Sequence, residues 1–88
     1  MELKIATRCC RDQQDNPRLF HYYLTANLEE HPRFVCENYG VRIVEDGVDA
    51  VEIPSITNSA ARIDQLLTLL VDNMVGPAGV RDVVSDWL

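Results

Sequence analysis

Apolar and polar residues alternate through the first half of the chain, which is the pattern of half-buried β-strands. The first run is Glu2–Arg11, with Leu3, Ile5, Thr7 and Cys9 on one side and Lys4, Ala6, Arg8 and Cys10 on the other. The polar stretch Asp12–Pro17 contains an Asn-Pro step that disfavours helix, so it predicts a loop. A second strand is predicted over Leu19–Ala26, with Phe20, Tyr22 and Leu24 on one face.

The next stretch, Asn27–Pro32, is charged and ends in proline, so it predicts a turn, with one turn of helix over 26–30 as the alternative. A third strand is predicted over Arg33–Glu45. Its apolar parity shifts near Asn38–Gly40, which indicates a bulge in that strand. Asp46-Gly47 predicts a tight primed hairpin turn. A fourth strand follows over Val48–Ile53 and ends at Pro54.

The period changes to that of a helix in the second half of the chain. Thr57 is the predicted N-cap of the first helix, and Gly76-Pro77 is its predicted end, with Pro77 in the first turn of a second helix. The first helix has an apolar face at Ala60, Ile63, Leu66, Leu67, Leu70, Val71 and Met74, and the second at Val80, Val83, Val84 and Trp87. We expect the protein's own core to contain Leu66, Leu67, Leu70, Val83 and Trp87.

The order of elements is therefore ββββαα. Short connections between consecutive strands predict an antiparallel four-stranded meander, with both helices packed on one face. This is an α+β fold, and 88 residues without a linker or repeat predict a single domain over 1–88.

Charge and cysteine content narrow the possible partners. The net charge of −6 repels phosphate backbones and anionic lipids, so we expect neither nucleic acid nor a membrane as partner. No signal-peptide pattern or long apolar run is present, which favours a cytoplasmic protein. The three cysteines form an odd set without a Cys-x-x-Cys spacing, so reduced thiols are expected.

The only group of potential metal ligands is Cys9, Cys10, Cys36, His21 and His31. Structural zinc sites usually take paired ligands two to four residues apart, whereas Cys9 and Cys10 point to opposite faces of a strand. A Cys–His nucleophilic pair lacks an environment that would favour the thiolate. The sequence therefore predicts no catalytic, cofactor-binding or metal-binding residue and no cofactor.

Two further groupings have ordinary explanations. The acidic residues Glu45, Asp46, Asp49 and Glu52 match no calcium loop, and we interpret them as a solvated rim. The aromatic residues Phe20, Tyr22, Tyr23 and Tyr39 lack interleaved basic residues, so core packing is expected rather than base stacking.

Several segments together resemble a known family. They are HYYL at 21–24, YGVRIVEDG at 39–47, VEIPSITNS at 51–59 and the closing RDVVSDWL at 81–88. The chain resembles a family of short uncharacterised bacterial proteins, a domain of unknown function, over roughly residues 19–88. Gly76 stands where that family's pattern has serine before the proline. The resemblance implies a bacterial cytosolic protein and supplies no catalytic residue.

These observations favour a small cytosolic, non-enzymatic interaction or regulatory module, with an unknown protein partner or a second copy in a homodimer or higher assembly. Self-association is expected through a sheet edge, or through the sheet face opposite the helices, where a surplus of apolar residues is predicted. The alternative is a small-molecule or metal-binding protein that uses Cys9, Cys10, Cys36, His21 or His31.

Overall fold

The computed structural model describes residues 1–88 and contains four strands followed by two helices. The elements are β1 (Glu2–Arg11), β2 (Pro17–His31), β3 (Phe34–Glu45), β4 (Asp49–Thr57), α1 (Ala60–Asp72) and α2 (Val80–Trp87). The strands form one antiparallel sheet in the order β1-β2-β3-β4, so each strand pairs only with its neighbours in sequence. The predicted meander and the α+β class are confirmed.

The core lies between one face of the sheet and the two helices. Three strand residues, Tyr22, Val41 and Ile43, are fully buried there. From the helices come Ile63, Leu66, Leu67, Leu70, Val80 and Val84. Val83 and Trp87, also predicted in the core, are half-buried and pack against it, whereas Val80 and Val84 are the buried residues of α2. The Arg62 guanidinium lies 4.4 Å from the centre of the Trp87 ring and ties α1 to α2 by a cation–π contact.

A bulge in β1 changes which side its residues face. Lys4 lies opposite Tyr23, whereas Ala6 lies opposite Tyr22, so Ile5 is an extra residue without a partner. Leu3 therefore shares a face with Ala6, and the predicted strict alternation along β1 is wrong. Ala6 packs against the core.

The second strand is longer than predicted. Asn27–His31 continues β2 and pairs with Phe34–Asn38 around the two-residue turn Pro32-Arg33. Neither the predicted turn over Asn27–Pro32 nor the alternative helical turn forms. These five residue pairs extend about 17 Å at 3.3 to 3.4 Å per residue. We call residues 27–38 the arm, because pairing with β1 ends at Met1–Ala26 and pairing with β4 ends at Tyr39. The arm helps to make the molecule elongated, 55 × 23 × 17 Å.

An irregularity occurs near Gly40, as predicted, but its extra residues belong to β4. Tyr39 lies opposite Thr57 and Val41 opposite Ile53, so β4 accommodates additional residues around Pro54. A Cβ at position 40 would lie 2.3 Å from the Ile53 carbonyl oxygen, so only glycine permits this approach. Pro54 therefore lies at a bulge in an edge strand. The prediction that β4 ends at Pro54 is wrong, because the strand continues to Thr57.

The β3–β4 turn is also not the predicted primed type. The Val48 amide donates to the Glu45 carbonyl at 3.1 Å. Gly47 has a φ of 72°, whereas the preceding Asp46 has a negative φ. Positive φ at only the second central residue is the pattern of a type II turn.

Both helices begin and end at different residues from those predicted. Ser59, not Thr57, is the N-cap of α1, and its hydroxyl accepts from the Arg62 amide. The helix ends at Asp72 in a Schellman motif, in which the Val75 amide donates to the Leu70 carbonyl and the Met74 amide donates to the Val71 carbonyl.

Pro77 lies in a turn that the Gly79 amide closes onto the Gly76 carbonyl, and Gly79 is the N-cap of α2. Pro77 therefore precedes α2, and the prediction that it lies in the first turn of this helix is wrong. Neither helix has the length and apolar character needed to cross a membrane.

Candidate functional site

The sheet face opposite the helices carries several paired polar side chains. His21 contacts Asp46 through Nε2 at 2.9 Å and Thr7 through Nδ1 at 3.2 Å. Nearby, Arg42 donates to Glu2 at 3.1 Å and stacks over the Tyr23 ring at 5.3 Å. Val44 lies opposite His21 and Ala50 lies opposite Val44, so this face combines ion-paired and apolar side chains.

The predicted acidic rim is also different in the structure. Glu45 is only 4% exposed and accepts from Arg18 Nε at 3.1 Å and Arg18 Nη2 at 2.5 Å. It is therefore a buried, paired carboxylate, and Asp46 is engaged with His21. Of the four acidic residues in the predicted rim, only Asp49 and Glu52 are exposed and without an ion pair. Two carboxylates are too few to form a cation site.

No surface pocket gathers the candidate cysteines and histidines. The four pockets have volumes between 80 and 530 Å³, and none is lined by Cys9, Cys10, Cys36, His21 or His31. Burial raises the pKa of Tyr22 to about 12, so this enclosed phenol stays neutral and is not a catalytic base. The small-molecule alternative gains no support from the shape of the surface.

The three cysteines lie in different environments. Cys9 is exposed on the outer face, Cys10 packs partly against the core, and Cys36 lies on the arm. All three are free thiols in the structure.

We expect iodoacetamide, applied to the denatured protein without reductant, to modify all three cysteines. Cys10 and Cys36 are half-buried, so denaturation is needed to expose every thiol equally. Intact mass measurement gives the count, and a reduced, alkylated sample provides the control. A single modified site in the unreduced sample would reveal a disulfide and contradict the structure.

The arm carries three large apolar side chains that are exposed to solvent. Leu28, Phe34 and Val35 are 71%, 58% and 59% exposed, which is unusual for large apolar side chains grouped in twelve residues. Strand alternation and register separate the two faces of the arm. One face has Leu28, Glu30, Val35 and Glu37; the other has Asn27, Glu29, His31, Phe34, Cys36 and Asn38.

The second of these faces holds a cluster of three ligand-type side chains. Glu29 and Cys36 are directly opposite each other, and His31 lies two residues along on the same face. The possible ligand atoms of these three residues all lie within 4.8 Å of one another. The Glu29 carboxylate also accepts a hydrogen bond from the Asn38 amide. His31 stacks on Phe34, with ring centres 4.5 Å apart and planes inclined by 25°.

The structure therefore brings together two of the five residues considered from sequence, His31 and Cys36, and adds Glu29. Cys9, Cys10 and His21 lie elsewhere. Glu29 was missed because Asn27–Pro32 reads as a turn, which hides its pairing with Cys36. A signal was present in the order Glu-x-His-Pro-Arg-Phe-x-Cys, since a hairpin turn at Pro-Arg places these three residues on one face.

Comparisons with known proteins give a family but no function. A family model described as "Family of unknown function (DUF6514)" matches residues 1–88. The match includes β1 and its two cysteines, which the resemblance noted from the sequence had left outside. No curated protein and no solved structure matches the chain.

Proposed function

The chain belongs to the DUF6514 family, whose function is unknown, and we propose that it is a small non-enzymatic interaction module that pairs with a second copy through its arm. The observation that carries this proposal is the free β3 edge of the arm. Along Phe34–Asn38, no strand of the same chain pairs on the side away from β2. Unpaired strand edges are templates for pairing with another chain.

The β3 edge of the arm is self-complementary. In an antiparallel pair centred on Val35, each Val35 faces its copy and Phe34 faces Cys36. Continued one residue beyond β3 into the turn, the same register brings Arg33 of each copy beside Glu37 of the other. Opposite charges and apolar groups are thus matched on both sides of the two-fold axis, which is what an isologous contact requires.

The other edge of the arm does not suit self-pairing. It contains Glu29 and Glu30 side by side, so a two-fold pair centred there would place carboxylates opposite each other. Arg33 and Glu37, in contrast, make no ion pair within the chain and are free to engage a partner. The net charge of −6 opposes association only weakly at cellular salt, where the Debye length is about 8 Å.

The contact is small, because it involves about five residues from each chain. It belongs to the class of weak or transient interfaces that bury less than about 1,200 Å². We therefore expect a reversible dimer at micromolar concentrations. We further propose that the module is a single domain of the bacterial cytosol, a setting in which its three free cysteines would stay reduced.

Charge reversal tests this register directly. We expect Arg33→Glu and Glu37→Arg each to weaken dimerisation about tenfold, because each change converts two cross-strand attractions into repulsions. The double variant Arg33→Glu/Glu37→Arg restores both pairs with their signs exchanged and should dimerise like the wild type. Sedimentation velocity over a micromolar concentration series measures the dissociation constants.

The matched control is Val48→Lys, which adds a charge at a 73% exposed valine outside the arm and should leave association unchanged. A wild-type protein that is monomeric throughout would overturn the proposed self-association. A dimer in which the double variant remains as weak as the single variants would overturn the Val35-centred register.

A further inference from the structure

We propose that Glu29, His31 and Cys36 on the arm form a binding site for a divalent transition-metal ion, with Zn²⁺ as the ion that their donor atoms fit best. All three residues belong to one hairpin, so the site is complete within one chain, although Cys36 and Phe34 also lie on the edge that the proposed self-association would use. None of them contacts the core of the molecule.

The distances between the donor atoms are close to those of a zinc site. Glu29 Oε2 lies 3.9 Å from Cys36 Sγ and 3.9 Å from His31 Nε2. Bond lengths of about 2.0 to 2.3 Å at tetrahedral angles place such atoms about 3.4 to 3.6 Å apart. These two separations must shorten by a few tenths of an ångström, and the third, between His31 and Cys36, is within 4.8 Å, so rotation of the three side chains is needed to close the site.

Two neighbours already orient the ligands. The stack of His31 on Phe34 fixes the plane of the imidazole beside Glu29. The Asn38 amide holds the Glu29 carboxylate. Groups that orient ligands in this way raise metal affinity, because less side-chain freedom is lost on binding. The five residues form one continuous face of the arm.

The donor set selects the kind of metal. A thiolate, an imidazole and a carboxylate suit Zn²⁺, whereas Ca²⁺ and Mg²⁺ require oxygen ligands. The Cys36 thiol loses its proton to solvent when the sulfur coordinates the ion. Three protein ligands leave one tetrahedral position open, which water occupies or a further ligand can enter.

Metal binding would change the arm itself. A two-stranded hairpin exposed on both faces is marginally stable in water. The ligands come from both strands, with Glu29 and His31 on β2 and Cys36 on β3. An ion coordinated by all three would cross-link the strands, so zinc would hold the arm in its paired form.

Cobalt substitution tests the site. We expect the reduced protein, titrated with Co²⁺ alone, to develop thiolate-to-cobalt charge-transfer absorption at one equivalent, and Zn²⁺ to displace it. Cys36→Ala should abolish the absorption, and Glu29→Gln or His31→Ala should weaken binding more than tenfold. Asn38→Ala, which removes only an orienting group, should weaken it about tenfold. Cys9→Ala is the matched control, because Cys9 is exposed but lies outside the cluster, and it should bind like the wild type.

A structural readout completes the test. Zinc should slow amide hydrogen exchange within residues 27–38 in the wild type but not in Cys36→Ala, while the helices of both proteins remain equally protected. Absence of a stoichiometric thiolate band would overturn the proposal. So would binding that survives both Cys36→Ala and His31→Ala. Measurement at concentrations below the dimerisation range separates this result from that of the proposed self-association.

Discussion

Leu70→Ala should lower the free energy of unfolding by about 2 to 5 kcal/mol. Leu70 is fully buried within the layer between α1 and the sheet. Its truncation removes apolar area from the core and leaves a cavity that the rigid sheet cannot collapse to fill. Urea denaturation, followed by circular dichroism at several concentrations of protein, gives the change.

The adjacent Leu69 provides the matched control. It lies on the same helix and is 40% exposed, so Leu69→Ala makes the same chemical change without opening a buried cavity. We expect that variant to lose less than about 1 kcal/mol. A loss for Leu70→Ala as small as that for Leu69→Ala would mean that α1 presents a different face to the sheet.

Gly40→Ala is expected to destabilise the protein by about 3 kcal/mol, at the upper end of the range for overpacked sites. The added methyl carbon would lie 2.3 Å from the Ile53 carbonyl oxygen and 2.7 Å from the Pro54 Cα. Both obstacles are backbone atoms, so the strain is relieved only if β4 moves away from β3. Thermal unfolding measures the loss, and amide exchange along Asp49–Thr57 should report the loosened pairing.

Gly79→Ala is the control for this substitution. A Cβ at Gly79 meets nothing within 4 Å, although glycine is preferred to alanine at an N-cap. The expected cost is therefore at most about 1 kcal/mol. Equal costs at positions 40 and 79 would contradict the close approach of the β4 bulge to Gly40.

The predictable part of the fold is the part that buries one face of each element. Period-two alternation and the α1 stripe arise because one side of each strand and helix packs on the core, so Phe20, Tyr22 and Leu70 identified their elements correctly. The Gly40 irregularity also left a trace in β3. Its cause lies in β4, and a single strand's pattern does not reveal which partner carries the extra residues.

The arm and the ligand cluster escaped prediction for the opposite reason. Both faces of the arm are exposed, so Asn27–His31 has no apolar alternation to mark it as a strand. Charged residues followed by Pro32 then resemble a turn. The cluster depends on register: Glu29 meets Cys36 only because His31 pairs with Phe34, and that information lies in cross-strand pairing.

The pairing of each strand with its neighbour in sequence has a consequence for the speed of folding. The short turns at Pro32-Arg33 and Asp46–Val48 join β2 to β3 and β3 to β4. Pairing of these strands can therefore start beside each turn and extend along the hairpin without closing a long loop. Contacts between the helical half and the sheet instead join residues far apart in sequence, as where Gly76, between the two helices, lies against the Phe20 ring of β2. The sheet therefore forms a surface early, and docking of the helices is the step that must wait for the larger loss of chain entropy.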